Sequence, residues 1–214
     1  MIVAIDGPAG SGKSAVGRRV ADALGLPFVD SGLMYRAVAL LAQERGIDLA
    51  DGAALTRLAG SLELRIDGRR VTVDGEDYTE RVYSPDLSDA ASRVAKVAGV
   101  RLALVAQQRA LGRDGVVMAG RDIGTVVFPD TRHKFFLTAS VEERARRRAA
   151  QIEGRGEKPD PEQLRREVEE RDRRDSRRSV APMRPADDAV LVDTDRLDLA
   201  GVVTEVLRQI RESG

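Results

Sequence analysis

A glycine-rich motif near the start of the chain constrains the fold more than any other feature. Residues 7–14 read GPAGSGKS and match the pattern G-x-x-x-x-G-K-[ST], between an apolar run at residues 2–5 and a helical pattern from Lys13. Such glycines let backbone N–H groups surround phosphate oxygens at the amino end of a helix. The motif predicts a nucleotide triphosphate site, with Lys13 at the β- and γ-phosphates and the Ser14 hydroxyl on Mg²⁺.

Short apolar runs alternate with amphipathic helical patterns along most of the chain. The runs at residues 2–5, 27–30, 116–119, 133–139 and 189–193 predict strands. Helices are predicted at residues 13–24, 32–45 and 52–62, between residue 85 and about residue 111 with a break near Gly99, from Ser140 onward, and at 199–210. This order predicts an α/β fold in which helices cover both faces of a parallel sheet.

Two segments depart from this alternation. Residues 64–83 alternate in polarity at every second position and contain two Asp-Gly pairs, which predicts a small antiparallel insert. Residues 141–178 contain 13 basic and 11 acidic residues, which predicts a solvated helical hairpin with a mobile tip at 153–161. Ser140 and Glu143 are spaced as a capping box at its start.

The composition excludes several classes of protein. The chain has no cysteine and one histidine, His133, so disulfide scaffolds, thiolate metal sites, cysteine nucleophiles and histidine clusters are excluded. It has no asparagine, which rules out the Asn-Lys-x-Asp base reader of GTPases and the catalytic loop of protein kinases. No apolar stretch approaches a membrane span, and the first apolar run ends at Asp6, so we expect a cytoplasmic protein with no membrane partner.

The basic residues are dominated by arginine. Only four of the 35 Lys and Arg residues are lysines, and arginine is suited to bidentate binding of phosphate. Helical spacing places Arg171, Arg174, Asp175 and Arg178 on one face. Phosphoryl transfer needs cations around the phosphoryl group and exclusion of water, so this face is typical of a closing lid. A solvated helix with internal salt bridges is the alternative.

Four motifs in one order resemble those of a known family. They are IDGPAGSGKS at residues 5–14, DSGLMYR at 30–36, AGRDIGTVVFPD at 119–130 and ERDRRDSRRSVAP at 170–182. Over nearly its whole length the chain resembles the bacterial cytidylate kinases, which belong to the nucleoside monophosphate kinases and have a P-loop fold. The resemblance implies one kinase domain, 1–214. Its parts would be a core at about 1–60, 112–150 and 180–214, a monophosphate-binding insert at 61–111, and a helical arginine-rich lid at 151–179.

The resemblance also implies an activity, its cofactors and its site residues. The activity is phosphorylation of CMP and dCMP by ATP with Mg²⁺, in pyrimidine nucleotide metabolism, by a protein expected to be a monomer. The residues implied to bind ATP are Gly7, Pro8, Ala9, Gly10, Ser11, Gly12, Lys13 and Ser14, and Ser14 is the metal-site residue. Those implied to bind CMP are Ser31, Tyr35, Arg36, Arg101, Arg121, Asp122, Asp175 and Arg178. Those implied to be catalytic are Lys13, Arg121, Arg171, Arg174 and Arg178.

The chemistry of the residues agrees with this activity, although alternatives stay open. The phosphate of a nucleoside monophosphate is a dianion at neutral pH, so it can attack without a general base, and a site with arginines and no histidine suffices. The Asp122 carboxylate is suited to accept hydrogen bonds from ribose hydroxyls. The alternative is that it caps the following turn. A kinase of shikimate type and a nucleic-acid-binding ATPase are the competing functions. The near balance of charge in residues 141–178 speaks against nucleic acid as a partner.

Overall fold

A computed structural model describes residues 1–84 and 86–213 of the chain. The strands, in chain order, are β1 Ile2–Asp6, β2 Phe28–Asp30, β3 Leu64–Asp67, β4 Arg70–Val73, β5 Glu76–Asp77, β6 Val116–Ala119, β7 His133–Thr138 and β8 Val190–Asp193. The larger sheet has five of these strands in the order β2-β6-β1-β7-β8, and every neighbouring pair is parallel. The parallel sheet confirms the α/β prediction.

Helices cover both faces of this sheet. They are α1 Lys13–Leu24, α2 Gly32–Glu44, α3 Gly52–Ser61, α4 Thr79–Val82, α5 Leu87–Val94, α6 Ala98–Leu111, α7 Val141–Glu153, α8 Pro161–Ser176 and α9 Leu199–Glu212. None of the helices among the described residues has the length and apolar character needed to cross a bilayer.

The alternation of side chains along the central strand β1 explains why the sheet has a hydrophobic core on each of its two faces. Val3 and Ile5 pack against α1 and α9, while Ala4 faces α2, α3, α5 and α6. Successive side chains of a strand point to opposite faces, so one buried strand serves two cores. The apolar run that predicted β1 therefore has no polar face.

The antiparallel insert is a three-stranded sheet in the order β3-β4-β5. Both Asp-Gly pairs lie in its turns, where Gly68 has a φ of 58° and Gly75 a φ of 88°. The prediction of alternating structure as far as residue 83 was wrong at its end, because β5 stops at Asp77. The Asp77 carboxylate accepts a hydrogen bond from the N–H of Thr79, and the chain then turns into α4, which buries Val82.

The charged hairpin consists of α7 and α8, which begin where the sequence predicts. Ser140 caps α7 by accepting a hydrogen bond from the N–H of Glu143 at 3.2 Å. Asp160 accepts from the first two N–H groups that follow Pro161 in α8. Few side chains of either helix are buried, as the composition predicts.

Three strands bring their carboxyl ends together at one edge of the parallel sheet. The N–H of Gly120, after β6, donates to the carbonyl of Ile5 in β1, and the N–H of Ser31, after β2, donates to that of Ala119. Ligands of open α/β sheets bind outside this edge. The fold therefore brings the motifs at residues 7–14, 30–36 and 119–122 together.

Candidate active site

The phosphate-binding motif forms a loop whose backbone only glycine can adopt at its start. Gly7 has a φ of 143°, and a Cβ atom there would lie 2.2 Å from the carbonyl oxygen of Leu137. Gly12 also has a positive φ, 90°, and caps the amino end of α1. The loop thus opens onto a helix amino end, which favours a bound phosphate.

Lys13 lies at the bottom of this loop with its amine out of water. Its Nζ donates to the carbonyl of Pro8 at 2.5 Å, and the residue is 7% exposed. Burial lowers the pKa of Lys13 well below its usual value, and the positive charge of Arg121 lowers it further. Phosphate oxygens in the loop would offset both effects, so the amine is poised for an anion.

Ser14 contacts a carboxylate that the sequence reasoning missed. Its hydroxyl donates to Oδ2 of Asp30 at 2.6 Å. A hydroxyl and a carboxylate beside bound phosphates are oxygen donors of the kind that Mg²⁺ takes, with water completing its coordination. Within the described ranges, no group of three or more His, Cys, Asp or Glu residues could hold a metal by itself. Asp30 ends β2 at the ligand-binding edge, and that position was the available signal.

A buried ion pair joins α6 to the segment that follows β6. Arg101 of α6 pairs with Asp122, and the two side chains are 3% and 7% exposed. Arg101 also donates to the carbonyl of Ala95 at 3.3 Å, and its guanidinium lies 5.5 Å from the centroid of the Tyr35 ring. Burial raises the pKa of Tyr35 to about 12, so the phenol stays neutral. The structure thus places three predicted CMP-binding residues in one contact group.

A second group of charges surrounds Asp175 of α8. Arg121 donates to its Oδ2 at 3.0 Å, Arg178 pairs with its Oδ1, and Ser92 of α5 donates to Oδ1 at 3.2 Å. Burial acts to raise the pKa of Asp175, but the two arginines hold it below its usual value. The carboxylate therefore stays charged. Ser92 was missed by the sequence reasoning.

Two other arginines of α8 that were predicted to be catalytic also contact α5. Arg171 donates to the Ser88 hydroxyl at 2.6 Å, and Arg174 pairs with Asp89. Burial lowers the pKa of Arg171 to about 9, and nearby Arg121 contributes in the same direction. Helical spacing predicted that these side chains share a face, and they line one cleft with Asp175.

Ser31 and Arg36 are engaged by the protein backbone. The Ser31 hydroxyl donates to the carbonyl of Ala119 at 2.8 Å. Nη1 of Arg36 donates to the carbonyls of Val82 and Ser84 at 3.1 and 3.0 Å. These contacts use one nitrogen of Arg36 and leave its other donors for a ligand.

Two arginines of α7 hold the carbonyl side of the phosphate loop, and the sequence reasoning missed both. Arg144 donates to the carbonyl of Ala9 at 3.2 Å and to Asp172 of α8 at 2.5 Å. Arg147 donates to the carbonyl of Gly10 at 3.3 Å and to the hydroxyl of Thr194 at 3.0 Å. The hairpin is therefore joined directly to the loop.

Several arginine N–H groups in this region are buried without a hydrogen-bond partner. Among the described residues they include the Nε groups of Arg101, Arg148, Arg171 and Arg178. Leaving such a donor unpaired costs about 1–3 kcal/mol. Buried polar groups that lack partners therefore point to a ligand that supplies acceptors.

Most of the side chains described above line one cleft with a volume of about 1460 Å³. Of the predicted site residues, only Gly7 and Pro8 are not part of its lining. A pocket for a single drug-sized ligand measures about 300–1,000 Å³. The cleft is larger than such a pocket, and the phosphate loop lines it together with Asp122, Asp175 and their arginine partners.

Comparison with known proteins identifies the family. The family model for cytidylate kinase matches residues 3–212. The chain belongs to the cytidylate kinase family. A member of that family, the cytidylate kinase of Pelotomaculum thermopropionicum, is 49% identical over 97% of this chain and 95% of its own length.

Other relatives are longer, and one solved structure shares the fold. The bifunctional pantoate ligase/cytidylate kinase of Synechococcus sp. strain JA-3-3Ab is 48% identical over 99% of this chain. The chain spans about two fifths, 41%, of that protein's length. The crystal structure of an uncharacterized protein from Eubacterium ventriosum is 14% identical with a TM-score of 0.54, covering 99% of this chain and 98% of that one.

Proposed function

We propose that the protein transfers the γ-phosphoryl group of ATP to CMP and dCMP, which gives ADP with CDP or dCDP, in pyrimidine nucleotide metabolism. The observation that carries this proposal is one cleft lined by both the phosphate loop and the residues of the Arg101–Asp122 and Arg121–Asp175 contacts. Membership of the cytidylate kinase family supports the choice of acceptor.

In this proposal the reaction is one in-line displacement. An oxygen of the CMP phosphate forms a bond to the γ-phosphorus as the bond from that phosphorus to the β,γ-bridging oxygen breaks, and ADP leaves. The acceptor oxygen is already ionised, so no residue needs to remove a proton. The protein contributes positioning and charge stabilisation.

The donor site consists of residues 7–14. Their backbone N–H groups and the Lys13 amine would bind the ATP phosphates. Ser14 would hold Mg²⁺ with Asp30 next to it, and the ion would neutralise charge on the β- and γ-phosphates. The hydrogen bond between Ser14 and Asp30 supports this assignment, because it brings both oxygen donors to the loop.

The acceptor site is proposed from two charged groups, one around Asp122 and one around Asp175. Arg36 and Arg121 would bind the CMP phosphate, with Ser31, Tyr35 and Arg101 near the base. Asp122 and Asp175 would accept hydrogen bonds from the sugar hydroxyls, since a carboxylate can accept two.

Arg171, Arg174 and Arg178 would surround the phosphoryl group as it moves. We propose that residues 151–179 act as the lid and that residues 61–111 form the monophosphate-binding insert. Closure over the nucleotides would exclude water from the γ-phosphate. The buried, unpartnered N–H groups of Arg171 and Arg178 support a role in binding phosphate oxygens.

We further infer a cytoplasmic monomer that uses no nucleic acid partner. Its proposed substrates are cytoplasmic nucleotides, and the charges of the hairpin are nearly balanced. Light scattering after size exclusion should give a mass near 23.2 kDa at micromolar concentration. A mass near twice that value would contradict the monomer.

The test of the proposed function is an acceptor screen. ADP production is followed with Mg²⁺ and ATP, while CMP, dCMP, UMP, AMP, GMP and shikimate are offered separately. We expect kcat/KM for CMP and dCMP to exceed that for AMP and GMP by at least about tenfold, since one well-placed polar contact discriminates by 1.4 kcal/mol or more. Turnover of shikimate alone, or ADP release that no acceptor stimulates, would refute the proposal.

A further inference from the structure

A π-helical turn follows directly after the proposed acceptor residues Arg121 and Asp122. It spans Ile123–Val127 and is closed by hydrogen bonds from the N–H of Val127 to the carbonyl of Asp122 and from the N–H of Phe128 to that of Ile123. Ile123 and Val127 are buried. Turns of this kind are rare and often occur at functional sites, and this one begins directly after Asp122, which is its N-cap residue.

The start of this turn is held by Asp6, the last residue of β1. Oδ1 of Asp6 accepts from the N–H of Ile123 at 2.9 Å, and Oδ2 accepts from the N–H of Gly124 at 2.8 Å. Asp6 is 5% exposed and directly precedes Gly7. Burial raises its pKa to about 6, although both N–H groups act to lower it.

The end of the turn is held by Arg109 of α6. Nε donates to the carbonyl of Val127 at 2.9 Å, and Nη2 donates to that of Val126 at 2.8 Å. The same helix carries Arg101, the partner of Asp122. A carboxylate at the N–H end and a guanidinium at the carbonyl end both complement the dipole of the turn.

We propose that Asp6 and Arg109 are positioning residues that clamp this turn and so fix Arg121 and Asp122 relative to the phosphate loop. This inference rests on the proposed function. Asp6 is joined covalently to the donor loop and by two hydrogen bonds to the segment that carries the acceptor residues, so one side chain links the two substrate sites.

The effect expected of the clamp follows from the sensitivity of phosphoryl transfer to geometry. A misplacement of about 1 Å can lower the rate about 100-fold. Neither side chain hydrogen-bonds to the phosphate loop in the contacts described, but the charge of Asp6 acts to raise the pKa of Lys13. Loss of the clamp through Arg109 should therefore disturb the acceptor and spare ATP binding.

The test compares wild-type protein with Asp6→Asn, Arg109→Met and Arg109→Lys. In Asp6→Asn one amide oxygen can still accept, but the NH₂ group faces an N–H donor. For Asp6→Asn and Arg109→Met we expect kcat/KM for CMP to fall at least about tenfold. For Arg109→Met the Kd of a non-hydrolysable ATP analogue, from calorimetry, should change less than about twofold. Arg109→Lys should lie between wild-type and Arg109→Met, because an ammonium still donates to a carbonyl.

The matched control is Ile210→Ala, a core change in α9 that lowers stability without touching the turn. It should leave kcat/KM for CMP within about twofold at a temperature where all proteins are folded. Unchanged CMP kinetics in the Asp6 and Arg109 variants would refute the clamp, as would equal losses of CMP turnover and ATP-analogue affinity in Arg109→Met. Because Arg109 is exposed, Arg109→Met carries the test if Asp6→Asn does not fold.

The outcomes separate the clamp from the proposed function. If wild-type protein prefers another acceptor, the proposed function is wrong, and the clamp is judged by kcat/KM for that acceptor. If wild-type protein phosphorylates CMP and the variants do so equally well, only the clamp is wrong. Failure of wild-type protein with every acceptor would refute both.

Discussion

The buried pair of Arg101 and Asp122 offers a prediction whose magnitude follows from the structure. Both side chains are almost wholly out of water, so Arg101→Met leaves the Asp122 carboxylate buried without its counter-charge. Breaking a buried pair in this way costs about 3–5 kcal/mol of unfolding free energy. For a chain of this length each kcal/mol lowers the Tm by about 2–4 °C, so we expect a fall of about 6–20 °C.

The measurement is urea unfolding at pH 7, followed by circular dichroism, in a double-mutant cycle. Asp122→Asn alone should cost less unfolding free energy, about 1–3 kcal/mol. The Arg101 guanidinium then still has its hydrogen bond to the Ala95 carbonyl and its contact with the Tyr35 ring. The double variant should be more stable than the sum of the two losses predicts, by about 1–3 kcal/mol.

The control for this cycle is Arg57→Met, which removes an exposed arginine of α3 and should change stability by less than about 0.5 kcal/mol. If the loss of unfolding free energy in the double variant equals the sum of the two single losses to within about 0.5 kcal/mol, the two charges do not depend on each other and the reasoning is refuted.

Three further predictions concern the donor site and Asp6. Lys13→Met should lower turnover by about 10²–10³ with the fold intact, measured as ADP production with CMP, and a loss below tenfold would contradict its placement at the phosphates. Asp30→Asn should raise the Mg²⁺ concentration for half-maximal rate by about 10-fold or more, and an unchanged Mg²⁺ titration would remove Asp30 from that site. Because the pKa of Asp6 rises from 3.8 to about 6 on folding, the folded state binds more protons between these values. The contribution of Asp6 to the unfolding free energy should therefore fall by roughly 2 kcal/mol as pH rises from about 4 to 6, and the difference in unfolding free energy between wild-type protein and Asp6→Asn should change by that amount. If the difference in unfolding free energy between these two proteins does not vary with pH, the raised pKa of Asp6 is refuted.

The features that the sequence predicts well are those encoded by neighbouring residues. The spacing of residues 7–14 and their place between strand and helix predict the phosphate loop. The Ser140 cap and the turns at Gly68 and Gly75 likewise depend on residues close in sequence. The prediction for the end of the antiparallel insert was wrong because the chain turns after Asp77, whose carboxylate accepts a hydrogen bond from the N–H of Thr79.

The features that the sequence did not predict depend on contacts between distant residues. The hydrogen bond from Ser14 to Asp30 joins residues 16 positions apart, and the Asp6 contacts span 117 and 118 positions. The arginines of residues 141–178 look alike in sequence. Only the packing of α7 beside the phosphate loop distinguishes Arg144 and Arg147 from their exposed neighbours.

Direct transfer of the phosphoryl group from ATP to CMP is the central claim, and isotope transfer tests it most directly. The protein is mixed with Mg²⁺, CMP and ATP labelled with ³²P in the γ-phosphate, and the products are separated by chromatography. The account predicts that the label enters the β-phosphate of CDP in step with ADP formation, and that Lys13→Met slows both. Label found in inorganic phosphate with no labelled CDP would contradict the account, because the protein would then be an ATPase and not a cytidylate kinase.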